Sequence, residues 1–283
     1  MKWGILGFGK WGKKLAKSID KNAVLVAVTS RNIEKTKNEL IHHEMNVHAC
    51  STKEMLADKN IDIVAVAVPI NDLFHNAKNA ILAGKNVFIE KPGATNIHEI
   101  HELKNLARST GLACYVNYIY SEDRALCFLA RELRTKKITS IQLNWNKWGS
   151  FDNNIIDNLV SHQLSILLKL LKYPIEINDV DISENIFSAN CKSAATNITI
   201  NTNRVSKVDK SLKMLAETQN GTYEWEPGKI TYKNTVIFTD TGDLLSRQIK
   251  KMESIIIDSN HDTNFSIVEL VNNTISDIKK VHK

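Results

Sequence analysis

Gly7-Phe8-Gly9-Lys10-Trp11-Gly12 stands between an apolar run, Lys2 to Leu6, and a stretch that places Leu15, Ala16 and Ile19 on one helical face. A strand that runs into Gly-x-Gly-x-x-Gly and then into a helix is the fingerprint of a dinucleotide-binding βαβ unit. The first glycine permits the sharp turn, the second lets a pyrophosphate approach the backbone, and the third lets helix and strand pack closely. The helix start then offers free N–H groups and the positive end of its dipole to the phosphates. Gly7, Phe8, Gly9, Lys10, Trp11 and Gly12 are therefore the first candidate cofactor-binding residues.

Outward from this loop, two periods alternate. Ala23 to Val28 reads as a second strand, Glu34 to Glu44 as a helix and Val47 to Ala49 as a third strand. Ile61 to Val68 is a near-continuous apolar run of the kind buried on both faces of a parallel sheet. Asn76 to Ala83 follows as a helix closed by Gly84, then a strand from Asn86 to Ile89 that leads into Glu90-Lys91-Pro92. Ile97 to Ser109 is a helix stopped by Gly111, and Leu112 to Val116 is a further strand. This pace of alternation predicts an α/β fold, a Rossmann-type doubly wound parallel sheet over residues 1–120.

Residues 121–283 read differently, with the boundary near Asn117–Asp123. From Ser140 to Trp148, Ile141, Leu143 and Trp145 alternate with Gln142, Asn144 and Asn146, a strand with one wet face. Ile155 to Leu171 is helical in pattern. Alternating runs fill 175–238, with Ile198 to Thr202 the clearest strand and turns at Asn220-Gly221 and Pro227-Gly228. Helices over Asp243 to Ser259 and Ile267 to Lys280 follow, and they are expected to pack back on the first domain. The second domain is predicted as α+β with a mainly antiparallel open sheet.

The 283 residues are 43% hydrophobic and 24% charged, which excludes disorder as a global description. No apolar run approaches the roughly 20 residues that cross a bilayer. The longest, Ile61 to Ile70, is interrupted by Asp62 and Pro69, and the apolar start before Gly7 is too short for a secretory signal. A cytoplasmic protein with no membrane partner is the expectation. Lys and Arg number 37 against 31 Asp and Glu, a formal charge of +6. The basic clusters, Lys10, Lys13, Lys14, Lys17 and Arg131, Arg134, Lys136, Lys137, are short, so the charge suits phosphorylated small molecules rather than nucleic acid. Cys50, Cys114, Cys127 and Cys191 lack metal-ligand spacing and read as free thiols, with no metal site expected.

The end of the second strand bears on the choice of cofactor. An acid about 20 residues past the fingerprint takes the ribose hydroxyls of NAD. Here Val24 to Val28 runs into Thr29-Ser30-Arg31-Asn32, with no acid. A carboxylate would repel a 2′-phosphate, whereas Ser30 can donate to it and Arg31 can pair with it bidentately. NADP(H) is favoured. NAD(H) stays open, because Arg31 is equally able to cover the adenine face.

The N-terminal fingerprint, the strand ending at Pro69, Ala83-Gly84-Lys85-Asn86-Val87 and Glu90-Lys91-Pro92 together resemble the Gfo/Idh/MocA oxidoreductases over about residues 1–125. The resemblance implies that Lys91 lies beside the nicotinamide and the substrate hydroxyl. A lysine at the carboxyl end of a buried strand points where ligands bind in open α/β sheets, and its ammonium stabilises alkoxide charge or relays a proton. In the family the Lys–Pro bond is often cis, and Glu90 is implied to position lysine and cofactor. Val68, Pro69, His75 at the next helix start, and Asn117 complete the implied cofactor set.

The family's second-domain signature is an Asp, then a Gly, then a His on one helix, the Asp four residues before the His. The matching stretch is Asp157-Asn158-Leu159-Val160-Ser161-His162. His162 fits the catalytic histidine, whose imidazole gives or takes the hydroxyl proton. Asn158 holds the position four before it and Val160 the glycine position, while Asp157 is one residue off, about 100° around an α-helix. Whether Asp157 or Asn158 assists His162 stays open. Tyr118, Tyr120, Trp148 and Asn158 join Lys91 and His162 as substrate-binding candidates; the two tyrosines stand where the family often carries Arg-Phe. Trp145 and Trp148 are residues that stack on a sugar or base when they are not core.

The resemblance implies hydride transfer between an NAD(P) nicotinamide and a carbohydrate hydroxyl or ketone, with a nucleotide-linked sugar among the substrates. It also leaves two alternatives. One is reduction of a non-sugar C=N or C=C bond. The other is a non-catalytic NADP-binding regulator. Assembly as a homodimer or homotetramer through the C-terminal sheet is implied as well.

Overall fold

Apolar runs and amphipathic stretches resolve into two units, residues 1–117 with 245–268, and residues 118–244 with 269–283. The computed structural model describes residues 1–149, 154–171, 173–205, 209–258 and 263–282.

The first unit alternates β1 (Lys2–Leu6), α1 (Lys10–Asn22), β2 (Val24–Thr29), α2 (Ile33–His42), β3 (His48–Ala49), α3 (Thr52–Ala57), β4 (Ile63–Val66), α4 (Ile70–Leu82), β5 (Asn86–Glu90), α5 (Ile97–Thr110) and β6 (Cys114–Asn117). The strands are parallel in the order β3-β2-β1-β4-β5-β6. The predicted doubly wound sheet is present. Every residue of β4 is buried, as a central parallel strand requires. Between β1 and β4 the strand order reverses, and loops at the carboxyl ends of such strands hold ligands.

Two local departures have plain causes. The fourth helix begins at Ile70 rather than Asn76, because Pro69 has its φ preset (−53°) and needs no N–H partner at a helix start. The short α3 was not visible in the periodicity. It is held by a capping box in which Ser51 Oγ accepts from Glu54 N (3.2 Å) and Glu54 Oε2 accepts from Ser51 N (2.8 Å). Segment 245–268 completes the unit. Trp3 Nε1 donates to Glu253 (3.0 Å) and Asn22 Nδ2 to Ser246 Oγ (2.8 Å). Asn264 closes the outer edge of β6, its Oδ1 accepting from Val116 N (3.1 Å) and its Nδ2 donating to Val116 O (2.6 Å).

The second unit comprises α6 (Arg124–Leu133), β7 (Ile138–Asn146), a π-helical turn at Ile156–Val160 leading into α7 (Ser161–Leu170), then β8 (Glu176–Ile182), β9 (Ile186–Ser193), β10 (Thr196–Asn203), β11 (Ser211–Thr218), β12 (Gly221–Glu226), β13 (Lys229–Tyr232) and β14 (Thr235–Thr239). Helices α8 (Leu244–Ile257) and α9 (Phe265–Val281) follow; Ser259, the expected end of the first, lies outside the described residues. The sheet order is β14-β13-β12-β11-β7-β10-β9-β8, antiparallel except for the β7–β10 pair. Ile141, Leu143 and Trp145 of β7 are buried together with Ile198, Ile200, Met214 and Trp225. The opposite face carries a polar ladder: Ser188 Oγ donates to Asn201 Oδ1 (3.0 Å), and Asn201 Nδ2 to Asn144 Oδ1 (2.9 Å). The Asn220-Gly221 turn joins β11 to β12 as expected. Pro227-Gly228 turns β12 into β13 as expected, and Lys233 and Asn234, at φ 47° and 63°, make the hairpin turn from β13 to β14. No helix among the described residues is long and apolar enough to cross a membrane.

Asp123 ties this unit together. Its carboxyl accepts from Ala125 N (2.8 Å), Trp225 Nε1 (3.1 Å) and Gly228 N (3.1 Å). Replacing it by alanine strands these donors, and a loss of about 1–3 kcal/mol is expected, read as a lower melting temperature. Burial pushes the Asp123 carboxyl up, against its N–H donors. With the folded pKa above the unfolded one, this group's contribution is present in acid and fades as pH rises through the raised value. Asp123→Ala therefore flattens the pH dependence of melting above the ordinary carboxylate range.

Candidate functional site

In the first unit the loop after β1 is built on two tight approaches. Gly7 donates its N–H to Thr29 O (2.9 Å) and takes φ +100°. A Cβ there would lie 2.4 Å from Ala67 O, and one on Gly12 would lie 1.9 Å from Gly7 O. A Cβ on Gly9 would meet nothing within 4 Å. Gly9 is the N-cap of α1, so the start of that helix carries no side chain where the space is open. This cradle fits the pyrophosphate of a dinucleotide. Phe8 is buried, and Lys13 and Lys14 approach the Phe8 and Trp11 rings at 5.9 and 5.5 Å. Lys10 is exposed at the first position of α1.

Ser30 is engaged within its own turn. Its Oγ lies 2.7 Å from Thr36 Oγ1, donates to Asn32 O (3.0 Å) and accepts from Asn32 N (3.1 Å). Asn32 in turn caps α2 through Lys35 N (2.9 Å). Arg31, between them, is exposed.

Val68 and Pro69 follow β4, with Val68 against the Gly7 turn. His75 does not start a helix: it is the sixth residue of α4, exposed, its ring 5.2 Å from that of Phe74. The early Pro69 start displaced it. Glu90 ends β5 and is followed by the cis Lys91-Pro92 bond. Asn117, paired with Glu90 across the β5–β6 register, donates Nδ2 to Glu90 Oε1 (2.7 Å). Its Oδ1 is buried with no hydrogen-bond partner among the described residues, an acceptor left for an amide or hydroxyl donor. Glu90 is half-buried as a residue, but desolvation of its carboxyl pushes its pKa up, opposed by Asn117, the Trp11 indole and Lys91. Loop, Val68, Glu90 and Asn117 thus gather at one end of the parallel sheet.

In the second unit, aromatic rings surround His162. Tyr118 (6.2 Å), Tyr120 (5.8 Å) and Trp145 (5.8 Å) all meet its imidazole edge-on. Tyr120 also contacts Trp145 (6.0 Å) and Trp225 (6.1 Å), a residue the motif reading missed because nothing in its strand distinguishes it from core. Burial, then Asp123, pushes the Tyr120 phenol up to about 12. Burial, then Asp157, pushes Tyr118 up as well, so both stay protonated at neutral pH.

The π turn alters the register read from the sequence. Ser161 N donates to Ile156 O, five residues back, so the turn accommodates one residue more than an α-helix. Asp157, expected about 100° away from the histidine's partner position, exerts its charge on the Tyr118 phenol, whose ring lies 6.2 Å from that of His162. Its Oδ1 lies 3.2 Å from Lys279 Nζ and its Oδ2 accepts from Asn154 Nδ2 (2.6 Å). Asn158 is half-buried. Gln163 anchors α7 to the sheet, donating to Leu143 O (3.3 Å) and Asn201 O (3.1 Å), which fixes the bearing of His162. Trp145 is buried. Trp148 lies beyond the end of β7, 49% exposed, outside the ring cluster.

A parallel sheet with its glycine cradle at the strand reversal and Glu-Lys-Pro closing the fifth strand, followed in the chain by a strand-rich α+β unit, defines a Rossmann-type dinucleotide-binding architecture. The model of the Gfo/Idh/MocA oxidoreductase family, described as an NAD-binding Rossmann fold, matches residues 1–118. Among curated relatives, Oxidoreductase P35 of Formosa agariphila is 27% identical over 58% of this chain and 46% of its own length. The chain thus spans less than half of that relative. Among solved structures, UDP-N-acetylglucosamine 3-dehydrogenase GnnA from Acidithiobacillus ferrooxidans is similar with a TM-score of 0.85 at 19% identity, covering 99% of this chain and 97% of that one. KijD10, a 3-ketoreductase from Actinomadura kijaniata solved with TDP-benzene and NADP, gives 0.87 at 13% identity over 99% and 96%. At these identities the structures describe a shared fold.

Proposed function

We propose that the protein is an NAD(P)-dependent oxidoreductase acting on a carbohydrate hydroxyl or ketone, with NADP(H) preferred and a nucleotide-linked sugar as the favoured substrate. The observation that carries this reading is the open Gly9 cradle at the strand reversal, next to the end of β5 where Lys91 stands. When bound, the nicotinamide supplies or accepts the hydride exchanged with the substrate carbon. Gly7 and Gly12 shape the phosphate loop, Lys10 adds positive charge at the helix start, and Asn117 offers its buried Oδ1 as an acceptor. Lys91 steadies negative charge on the substrate oxygen, and His162, held by three rings, gives or takes the hydroxyl proton. Tyr118 and Tyr120 wall the histidine. A similar solved structure named as a UDP-N-acetylglucosamine 3-dehydrogenase, and another named as a 3-ketoreductase and holding TDP-benzene with NADP, support the substrate class.

Because Ser30 is spent on its own turn, Arg31 carries the preference for a 2′-phosphate. Arg31→Ala is expected to weaken NADP+ binding about tenfold while leaving NAD+ nearly unchanged, since a charge-assisted hydrogen bond contributes about 1.5–3 kcal/mol. Isothermal titration with each cofactor measures this. The reading as a whole is tested by thermal-shift screening with NADP+ and NAD+, followed by nicotinamide oxidation assays on keto-sugars, free and nucleotide-linked. Tight cofactor binding with no turnover on any of them would sink the enzyme reading. Self-association through the polar face of the eight-stranded sheet is part of the proposal, and sedimentation velocity reads it.

A further inference from the structure

At one end of the second unit's sheet, three strands place cations side by side. Asn146 of β7 pairs with both Asn203 of β10 and Ser211 of β11, so Lys147, Arg204 and Lys210 flank the same strand end. Lys147 N donates to Asn203 O (2.9 Å), which pins it there, and Arg204 is buried, donating Nη2 to Asn154 O (2.9 Å). Two tryptophans lie among them. The Lys147 ammonium sits 5.0 Å from the Trp145 ring, and that of Lys210 sits 4.3 Å from the Trp148 ring. Trp148 is about half exposed, although burial is the ordinary fate of so large an apolar ring.

This patch is continuous with His162. The Trp145 ring meets the imidazole at 5.8 Å and lies 5.0 Å from the Lys147 ammonium. Those two distances place the Lys147 ammonium within about 11 Å of the imidazole centre, a separation that a sugar ring and the phosphate on its anomeric oxygen can span. Beyond it stand a second lysine and an exposed indole. Ammonium groups bind phosphate oxygens as point charges, and an indole offers a stacking face to any base.

We propose that Lys147, Lys210 and Trp148 form the subsite for the nucleoside diphosphate of a nucleotide-linked substrate. The two lysines hold the diphosphate and Trp148 stacks on the base. This rests on the oxidoreductase reading above and gives it a location for the substrate's leaving half. Trp148 and the lysines have no part in cofactor binding, which separates the two claims.

The test uses protein saturated with NADP+, which occupies the other nucleotide site, titrated calorimetrically with uridine diphosphate, thymidine diphosphate and inorganic pyrophosphate. The unaltered protein is expected to bind at least one of the two nucleotides. Lys147→Ala/Lys210→Ala is expected to weaken it tenfold or more and to reduce its salt dependence. Trp148→Ala is expected to weaken the nucleotide about tenfold but to leave pyrophosphate unchanged, a pattern that a general structural defect does not produce. NADP+ affinity stays the same in both variants. No nucleotide binding at millimolar concentration, or equal binding by the variants, overturns the subsite. If turnover of free keto-sugars persists in that case, the subsite alone is wrong; if NADP+ does not bind, the oxidoreductase reading falls first.

Discussion

Lys91→Ala is expected to lower kcat by about 10²–10⁴-fold, the range spanned by positioned proton-transfer groups, while NADP+ affinity changes little. Lys91 leaves the end of β5, where side chains reach ligands in an open parallel sheet, and it follows a glutamate tied to Asn117 at 2.7 Å. In the proposed mechanism its ammonium acts on charge that develops only as the substrate reacts, so its removal is expected to appear in kcat rather than in cofactor binding. Lys91→Arg keeps the charge but presents a planar fork in place of a compact cation, and partial recovery at most is expected. Single-turnover absorbance at the nicotinamide band, with binding followed by calorimetry, separates the two effects. Retention of full kcat by Lys91→Ala would remove the lysine from the mechanism.

Gly9→Ala and Gly12→Ala are expected to part company, although both alter the same loop. A Cβ on Gly12 would stand 1.9 Å from the Gly7 carbonyl oxygen, a backbone atom that cannot swing aside. Overpacking of this kind costs about 1–3 kcal/mol, and the displaced loop no longer presents its cradle. Gly12→Ala should therefore lower both the melting temperature and cofactor affinity. At Gly9 the same methyl enters open space at φ −78°, so folding stability is expected to stay within about 0.5 kcal/mol. It does occupy the surface a pyrophosphate approaches, and NADP+ binding is expected to fall tenfold or more. Thermal denaturation beside calorimetric titration decides. A Gly9→Ala protein that binds NADP+ normally would show that the pyrophosphate lies elsewhere.

The nucleotide half was legible because its information is local. Glycine spacing, valine-rich runs and the glycine ends of helices each declare themselves within a few residues, and β1, β2 and β5 fall within a residue or two of expectation. The expected helix start beside His75 was misplaced for a local reason too: with Pro69 as its cap, α4 begins six residues sooner than the apolar pattern showed. Around His162 the controlling facts are not local. The π turn, which contains Asp157 and precedes His162, is a backbone choice with no residue signature. Trp225 meets Tyr120 only through the strand order of the second sheet, and Ser30 proved to be a turn residue through Thr36, six positions on.

Asn264 bears on the order in which this protein is made. Its amide occupies the free edge of β6, imitating a neighbouring strand at Val116. Exposed strand edges invite pairing with other chains. A ribosome releases all six strands of that sheet before it reaches Asn264, and the whole eight-stranded sheet emerges in the interval. Throughout that time the nascent nucleotide-binding half carries a bare edge and lacks the helix that takes the Trp3 indole. Its period of greatest exposure to misassembly therefore falls late in synthesis, when holding chaperones have most to protect, and truncations before residue 264 are expected to accumulate in aggregates.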